Sequence, residues 1–169
     1  MKIEKVTRDI FPEINLDNFN RRQKITRIYV RRNDKYVLEE HPGVMDWSID
    51  KKREVARELM GGANISYLAL EEGRIIGFMS LVKELIGERM ILDLIQVDED
   101  FRGRGIGCAL WEKAVEEARL NGARELYISA CSSEETIHFY KAMGAHVTDN
   151  PIMSIANEEP DDLQMICSI

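Results

Sequence analysis

The sequence has few residues of the kinds that bind metals or form disulfides. Its 169 residues include three cysteines and three histidines, and these do not stand at metal-ligand spacings. Cys108, Cys131 and Cys167 lie far apart, as buried thiols in a reducing compartment commonly do. We therefore expect free cysteines and no bound metal.

Long apolar segments and an excess of basic residues are missing as well. No apolar run approaches the roughly 20 residues of a membrane span, and residues 1–6 lack the apolar core of a secretory signal. Lysine and arginine number 23 against 30 aspartate and glutamate residues, which gives a net charge of −7. Binding of nucleic acid irrespective of sequence needs a basic face. We expect a cytoplasmic protein that binds neither a membrane nor a nucleic acid.

The chain shows no repeat, no low-complexity tract and no clear linker, so residues 1–169 are predicted to form a single domain. Apolar and alternating runs predict strands at 1–7, 64–70, 75–82, 90–97, 125–131, 146–148 and 163–169. Residues 17–60 are predicted to be mostly helical, with a break near 41–43 and a second helix that begins after Ser48. Further helices are predicted at 106–121 and 133–143. The acidic residues 157–162 are predicted to form a surface turn between the last strands.

The most informative segment is a glycine-rich loop between a strand and a helix. The apolar run 90–97 leads into a short acidic turn, then Arg102-Gly103-Arg104-Gly105-Ile106-Gly107, and a helical pattern follows at once. Such a loop leaves backbone N–H groups unpaired at the positive end of a helix dipole. Glycine suits it because a side chain would hold an anion away from the backbone. The pattern predicts a phosphate site.

Three phosphate-loop patterns can be compared with this segment. A P-loop requires Lys-Ser or Lys-Thr after its glycines, and these are missing. A dinucleotide loop requires G-x-G-x-x-G, but Cys108 stands where the third glycine belongs. Arg-x-x-Gly-x-Gly is matched in full by Arg102, Gly105 and Gly107. A plain glycine-rich turn that caps the helix is the alternative without a ligand.

The matched motif resembles the pyrophosphate loop of the GNAT family of N-acetyltransferases. A second segment, residues 132–145, resembles the other signature of that family: a short helix with Phe139-Tyr140 that ends at Gly144-Ala145. The two signatures together span residues 90–147. One position departs from the usual pattern, because Ser133 stands where many members carry an asparagine that contacts the pantetheine arm.

The resemblance implies a fold, a reaction and a cosubstrate. The implied fold is the α/β (α+β) acetyltransferase fold, a mixed, twisted and splayed β-sheet flanked by helices in the order β-αα-βββ-α-β-α-β-β. The implied enzyme is an acyltransferase that takes its acetyl group from acetyl-CoA. The residues implied to bind acetyl-CoA are Ile95, Gln96, Val97, Arg102, Gly103, Arg104, Gly105, Ile106, Gly107, Cys108, Ser133, Thr136 and Tyr140.

Two residues are candidates for the proton transfers. In the family a tyrosine at the position of Tyr140 protonates the leaving thiolate, although by itself such a tyrosine is more often a core residue with a bonded hydroxyl. Asp93 stands inside the strand Ile91-Leu92-Asp93-Leu94-Ile95, where aspartate is uncommon. We expect burial to raise its pKa and make it a general base. A structural aspartate bonded to an arginine or a backbone N–H is an equal alternative.

The acceptor site is predicted to lie in the segment after the first strand. Tyr36, Glu40, Asp46 and Trp47 form an acidic and aromatic mixture there, which suits a cationic amine. The net negative charge favours encounter with amines, or serves solubility alone. A solvated helix pair in which Trp47 anchors the core is the alternative.

Three functions remain open from the sequence. The first is N-acetylation of a small primary amine, such as a polyamine, an amino sugar or an amino acid derivative. The second is N-acetylation of a protein or peptide, and the third is a non-catalytic module that binds acyl-CoA. The resemblance also allows a homodimer.

Overall fold

The computed structural model describes all 169 residues, which form nine strands and four helices. The strands are β1 (Lys2–Lys5), β2 (Gln23–Arg32), β3 (Lys35–Met45), β4 (Asn64–Glu71), β5 (Arg74–Val82), β6 (Arg89–Val97), β7 (Glu125–Ala130), β8 (His146–Val147) and β9 (Leu163–Ser168). The helices are α1 (Ile49–Leu59), α2 (Ile106–Leu120), α3 (Glu134–Ala142) and α4 (Met153–Glu158).

Seven strands form one mixed sheet in the order β1-β4-β5-β6-β7-β9-β8, and β2 and β3 form a separate hairpin. All neighbours in the large sheet are antiparallel except β6 and β7, which are parallel. A mixed sheet flanked by helices confirms the predicted fold class. None of the helices has the length and hydrophobicity of a membrane-spanning segment.

Helices cover both faces of the sheet. On one face α1 packs against the sheet through Val55 and Leu59, which lie in an apolar cluster with Leu68 and Phe78. On the other face α2 and α3 pack against a larger cluster that runs across the middle strands. The predicted four-residue repeat in α2 is confirmed, since all its members are buried: Ile106, Leu110, Ala114 and Ala118. This packing fixes the start of α2 at the end of β6.

The prediction of a mostly helical segment over residues 17–60 is wrong for its first half. Residues 23–45 form the antiparallel hairpin of β2 and β3, and α1 follows. The hairpin turns at Asn33 and Asp34, which both have positive φ angles of 47° and 61°. Two such residues between strands form the tight turn whose twist matches a hairpin, and Asn and Asp tolerate it better than most residues. The Asn-Asp pair between β-branched and aromatic runs was the signal for this hairpin.

The hairpin is fastened to the start of α3 rather than projecting freely. The Tyr29 amide donates to the Ser132 carbonyl at 2.8 Å. Arg27 forms two hydrogen bonds with the Glu134 carboxylate, at 2.8 and 2.7 Å. A two-pronged arginine–carboxylate pair restricts orientation as well as distance. The hairpin therefore forms a wall beside the carboxyl end of β7.

The prediction of a plain surface turn at residues 157–162 is also incomplete. The helix α4 occupies Met153–Glu158, and the chain then turns back toward the sheet. Asp162, directly before β9, is partly buried, and Ser129 on β7 donates a long hydrogen bond of 3.4 Å to its carboxylate. One acidic residue of this run therefore faces inward.

Candidate active site

A cleft opens where the parallel strands β6 and β7 diverge. The two strands pair only from Arg89–Ile91 against Glu125–Tyr127. Beyond Ile91 the β7-facing edge of β6 has no strand partner, so its backbone groups are free to bind another extended chain. The cleft has a volume of about 990 Å³ and lies at the carboxyl ends of both strands. The splayed sheet implied by the sequence is thus present.

Most of the residues predicted to bind the donor meet in this cleft. Of all the predicted site residues, those that line it are Trp47, Asp93, Ile95, Gln96, Val97, Arg102, Gly103, Gly105, Ile106, Gly107, Cys108, Thr136 and Tyr140. Those that do not are Tyr36, Glu40, Asp46, Arg104 and Ser133.

A buried carboxylate fixes the turn that precedes the glycine loop. Asp98 is fully buried and accepts hydrogen bonds from the amides of Asn20 (3.0 Å) and Asp100 (3.1 Å). Arg74 Nη2 donates to the same carboxylate at 2.9 Å. Three donors offset the cost of burying the charge. The turn is held rigidly, and it sets the direction in which the loop leaves β6.

The glycine loop uses glycine for its backbone conformation. Gly103 and Gly105 have φ angles of 75° and 78°, in the left-handed region that L residues avoid. Gly105 is the N-cap of α2 and supplies no side-chain hydrogen bond, so the first N–H groups of the helix keep their donors free. The helix dipole adds to these donors, and an anion at this position gains up to ~2 kcal/mol in a favourable geometry.

Gly107 meets a different constraint, which is space. A Cβ at this position would lie 3.2 Å from Phe139 Cε2 and 3.8 Å from Val97 Cγ2. The first turn of α2 therefore packs closely against the aromatic ring of α3, and any larger residue would push the two apart. This close approach leaves the loop N–H groups next to the cleft.

The two arginines of the loop differ in their roles. Arg102 lines the cleft and donates to two backbone carbonyls, Val97 O at 3.1 Å and Arg21 O at 3.2 Å. Arg104 instead pairs with Glu71 at 2.7 Å and lies over the ring of Phe101. The contribution of Arg104 to the donor site stays a prediction, since here its guanidinium faces Glu71 and not the cleft. Its charge is held outside the cleft by a carboxylate of β4.

Tyr140 presents an unbonded hydroxyl to the cleft. The residue is 7% exposed, and its ring packs against Trp111 and Phe139. Burial raises the pKa of its hydroxyl well above the ordinary value, and the nearby Cys131 and Asp162 raise it further. No protein group forms a hydrogen bond with this hydroxyl. It therefore stays protonated at neutral pH and is free to donate to a bound molecule.

Ser133 and Thr136, both predicted to bind the donor, have different roles in the structure. Ser133 is fully buried as the N-cap of α3, where its hydroxyl accepts from the Thr136 amide and donates to Thr136 Oγ1 at 2.8 Å. It also accepts from Gln23 Nε2 at 3.1 Å. The expected direct contact of Ser133 with the donor is therefore corrected. Thr136 lines the cleft in its place.

Asp93 lies in the cleft but not in the environment expected for it. A bulge between β5 and β6 pairs Ser80 with Leu94 and Leu81 with Leu92, which leaves Asp93 without an opposite residue. Its side chain is exposed, and Oδ2 accepts from Asn64 Nδ2 at 3.0 Å and Ser80 Oγ at 3.1 Å. The expectation of burial is wrong because the bulge turns the side chain outward.

Of the four predicted acceptor residues, only Trp47 reaches the cleft. Tyr36 and Glu40 are exposed on β3, and Asp46 accepts a hydrogen bond from the amide of Trp47. These three residues lie outside the cleft, because the segment is a hairpin and not a helix, and their contact with an acceptor stays a prediction. Trp47 also packs beside Phe78 at 6.2 Å, so it supports the core as well.

The sequence profile of the acetyltransferase (GNAT) family matches residues 21–145. The chain belongs to the GNAT acetyltransferase family. A stretch of 52 residues, 30% of this acetyltransferase, is 50% identical to an uncharacterized N-acetyltransferase of Methanocaldococcus jannaschii. That stretch spans 23% of the relative, so less than a quarter of the relative's length is matched.

Two solved structures match this acetyltransferase along nearly its whole length. Nourseothricin acetyltransferase has a TM-score of 0.72 at 18% identity, with 99% of this chain and 97% of that chain covered. A Bacillus anthracis protein assigned as a streptothricin acetyltransferase, solved in complex with acetyl coenzyme A, has a TM-score of 0.74 at 17% identity, with 100% and 99% covered. At these identities the likeness shows a shared fold.

The sequence analysis missed six charged residues that line the cleft of this acetyltransferase, among them Arg21 and Asp162. Arg21 is buried beside Trp47, and no sequence pattern distinguishes it from its neighbour Arg22. Asp162 belongs to the acidic run 157–162, which its composition predicts to be a surface turn, yet Asp162 lines the cleft. Burial, together with the charge of Glu159, raises the pKa of Asp162 to about 6. Only the fold shows which of these charges face inward.

Proposed function

We propose that this acetyltransferase moves an acetyl group from acetyl-CoA to the primary amine of a small molecule, by direct attack in a ternary complex. The observation that carries the proposal is the cleft itself: one end holds the glycine loop, and the other places the free hydroxyl of Tyr140 beside the carboxylate of Asp162. An anion site, a proton donor and a proton acceptor in one cleft are what transfer from a thioester to an amine needs.

The residues of the donor end fit acetyl-CoA. The unpaired edge of β6 at Ile95–Val97 suits the pantetheine amides, and the free N–H groups of the loop and of α2 suit the pyrophosphate. Gly107 supports this fit, because a side chain there would collide with Phe139 and displace the loop. Acetyl-CoA supplies a thioester whose carbonyl carbon accepts the amine and whose thiolate leaves.

The amine must lose a proton before it can attack. An alkylamine with a pKa near 10.4 is neutral in less than about one part in a thousand at pH 7. We propose Asp162 as the group that accepts this proton, directly or through water, because it is half-buried and has a pKa of about 6. Asp93 is the second candidate, since one of its oxygens has no protein partner.

Tyr140 is proposed as the general acid. Its raised pKa keeps the hydroxyl protonated, so the hydroxyl can donate a hydrogen bond to the sulfur as negative charge develops there. The aromatic contacts of the ring with Trp111 and Phe139 restrict its orientation. The proton of Tyr140 passes to the sulfur as the C–S bond breaks and is replaced by a proton from solvent, while the proton of the amine goes to the carboxylate.

Two bonded segments beside the cleft favour a small molecule over a protein chain. The β2–β3 hairpin is bonded to α3 through Arg27 and Glu134, and the segment before β9 bonds to β7 through Asp162 and Ser129. The two solved structures that match over nearly the whole chain are named for small molecules, nourseothricin and streptothricin. Both observations support a small amine.

The test is release of free thiol from acetyl-CoA, followed with a chromogenic thiol reagent across a panel of small amines and amine-bearing peptides. Turnover with at least one small amine, and slower turnover with every peptide, is the expected result. Turnover with peptides alone would move the acceptor to a protein. Binding of acetyl-CoA by calorimetry with no turnover of any member would contradict the proposal and favour a binding module.

A further inference from the structure

Arg21 is the one buried arginine of the chain, and it faces the cleft. It is 5% exposed and lies directly before β2, where its carbonyl accepts a hydrogen bond from Arg102. Its guanidinium lies over the ring of Trp47, 5.4 Å from the ring centroid. Stacking on an indole holds the guanidinium plane in one orientation.

The charge of this guanidinium is only weakly compensated, because Asp46 stabilises it from beyond salt-bridge distance and Arg102 opposes it. Nη1 donates only a long bond of 3.4 Å to the neutral amide oxygen of Gln23. Nε is fully enclosed and unbonded, and Nη2 makes no hydrogen bond. No carboxylate forms a salt bridge with it, whereas the adjacent and exposed Arg22 pairs with Glu99 at 3.0 Å.

A buried and unpaired cation is costly for the folded protein. Desolvation lowers the pKa of Arg21, which is the sign that its charged form is destabilised by burial. A planar anion that enters the cleft would relieve this cost, because a guanidinium binds a carboxylate through two parallel hydrogen bonds. Arg21 is thus poised to bind a carboxylate that comes with a ligand.

Arg21 lies between the donor loop and the acceptor end of the cleft, because it contacts Arg102 on one side and Trp47 on the other. The phosphates of a bound donor would have the N–H groups of the loop at Gly103–Gly107 available to them. Arg21 instead adjoins Trp47 and the Cys131 thiol, and the same thiol influences the pKa of Tyr140. The guanidinium therefore lies on the side of the cleft where the acceptor must approach Tyr140.

We propose that the acceptor carries a carboxylate besides its amine, and that Arg21 binds that carboxylate. This inference rests on the proposed function and narrows its substrate class to amino acids and their derivatives. Arg21 forms the cationic pole of the acceptor site, and Asp162 with Glu159 forms the anionic pole that receives the amine. A polyamine or an amino sugar without an acidic group would leave the Arg21 charge unpaired.

Matched pairs of amines that differ in one carboxylate test the inference. L-Lysine and cadaverine, L-ornithine and putrescine, and β-alanine and ethylamine are compared by kcat/KM in the wild type, Arg21→Met, Arg21→Lys and Arg22→Met. We expect the wild type to prefer the carboxylated member of at least one pair by tenfold or more. Arg21→Met should abolish that preference by slowing only the carboxylated member, with Arg21→Lys intermediate and Arg22→Met unchanged.

A binding measurement keeps the test independent of turnover. The N-acetylated form of each amine is titrated by calorimetry into protein saturated with CoA. The acetylated amino acids should bind at least tenfold more tightly than their decarboxylated partners in the wild type, and equally in Arg21→Met. The melting temperature of Arg21→Met should match or exceed that of the wild type, because an apolar side chain replaces an unpaired buried charge.

Two results would overturn the inference. One is the absence of any preference for carboxylated ligands in both kinetics and binding. The other is a weaker affinity of Arg21→Met for CoA itself, measured by calorimetry, since that would assign the guanidinium to the donor. If no amine in the panel is turned over but carboxylated ligands still bind through Arg21, the proposed function fails and the carboxylate site stands.

Discussion

Replacement of Tyr140 by phenylalanine separates catalysis from folding in this protein. The change removes one hydroxyl and keeps the buried ring, with its contacts to Trp111 and Phe139. Because the hydroxyl has no hydrogen bond in the folded protein, no native interaction is lost. We expect a free energy of unfolding that is unchanged or higher by up to about 1 kcal/mol.

The effect on turnover should be much larger. A positioned general acid contributes about 10²- to 10⁴-fold, which corresponds to about 2.7 to 5.4 kcal/mol in the barrier. Tyr140→Phe should therefore lower kcat at least tenfold. Its affinity for acetyl-CoA should change little, because the donor is held mainly by the loop and by the edge of β6.

Tyr67→Phe provides a matched control with the opposite outcome. The Tyr67 hydroxyl is buried and donates to the Glu117 carboxylate at 2.5 Å, and neither residue lines the cleft. Loss of a hydrogen bond to a charged group costs about 1.5 to 3 kcal/mol. In a domain of this size that lowers the melting temperature by roughly 3 to 12 °C. Its kcat should stay close to that of the wild type.

Thermal unfolding and thiol release, measured on the same three preparations, decide the matter. The expected pattern is a slow but stable Tyr140→Phe and an active but less stable Tyr67→Phe. Normal turnover of Tyr140→Phe would remove its hydroxyl from the chemistry. A large loss of stability in that variant would instead show that the hydroxyl has a structural partner.

Two further predictions concern proton removal and the glycine loop. The pKa of about 6 means that Asp162 is charged above pH 6, so kcat/KM of the wild type should fall as the pH drops through 6. Asp162→Asn should slow the reaction and flatten this fall. Asp93→Asn should do so only if Asp93 is the base, so the pH–rate profiles of the two variants show which carboxylate accepts the proton. Because the pKa of Asp162 is higher in the folded state than in the unfolded state, its charge destabilises the wild type at high pH. The melting temperature of Asp162→Asn should therefore exceed that of the wild type by more at pH 8 than at pH 5. Gly105→Ala, at φ 78°, should lower the free energy of unfolding by about 1 to 2 kcal/mol and weaken CoA binding several-fold by calorimetry. Gly73→Ala, at φ 79° in the β4–β5 turn, is the control: it should lose similar stability and keep its affinity for CoA.

The donor half of the site could be predicted from the sequence because its requirements are local. Gly105 needs a positive φ, and Gly107 needs space, and both constraints act within one turn of the chain. The apolar repeat of α2 follows from its period alone. Patterns of this kind are written in consecutive residues, so the strand, the loop and the helix were predicted together and in order.

The acceptor half depends on contacts between distant segments, and its sequence signals are weak. The segment before α1 was predicted as helix because its charged residues mask the alternation, and the Asn33-Asp34 turn was the one local sign of a hairpin. The bulge that turns Asp93 outward depends on the register with β5. No single-chain pattern shows such a register.

The sequence also does not show which charged residues face the cleft. Arg21 and Arg22 are identical in type and adjacent in sequence, yet Arg21 is buried without a salt bridge and Arg22 is exposed and paired with Glu99. Folding alone would favour an apolar residue at position 21, since an unpaired buried cation destabilises the chain. A charge that the fold does not need is best explained by a ligand that needs it.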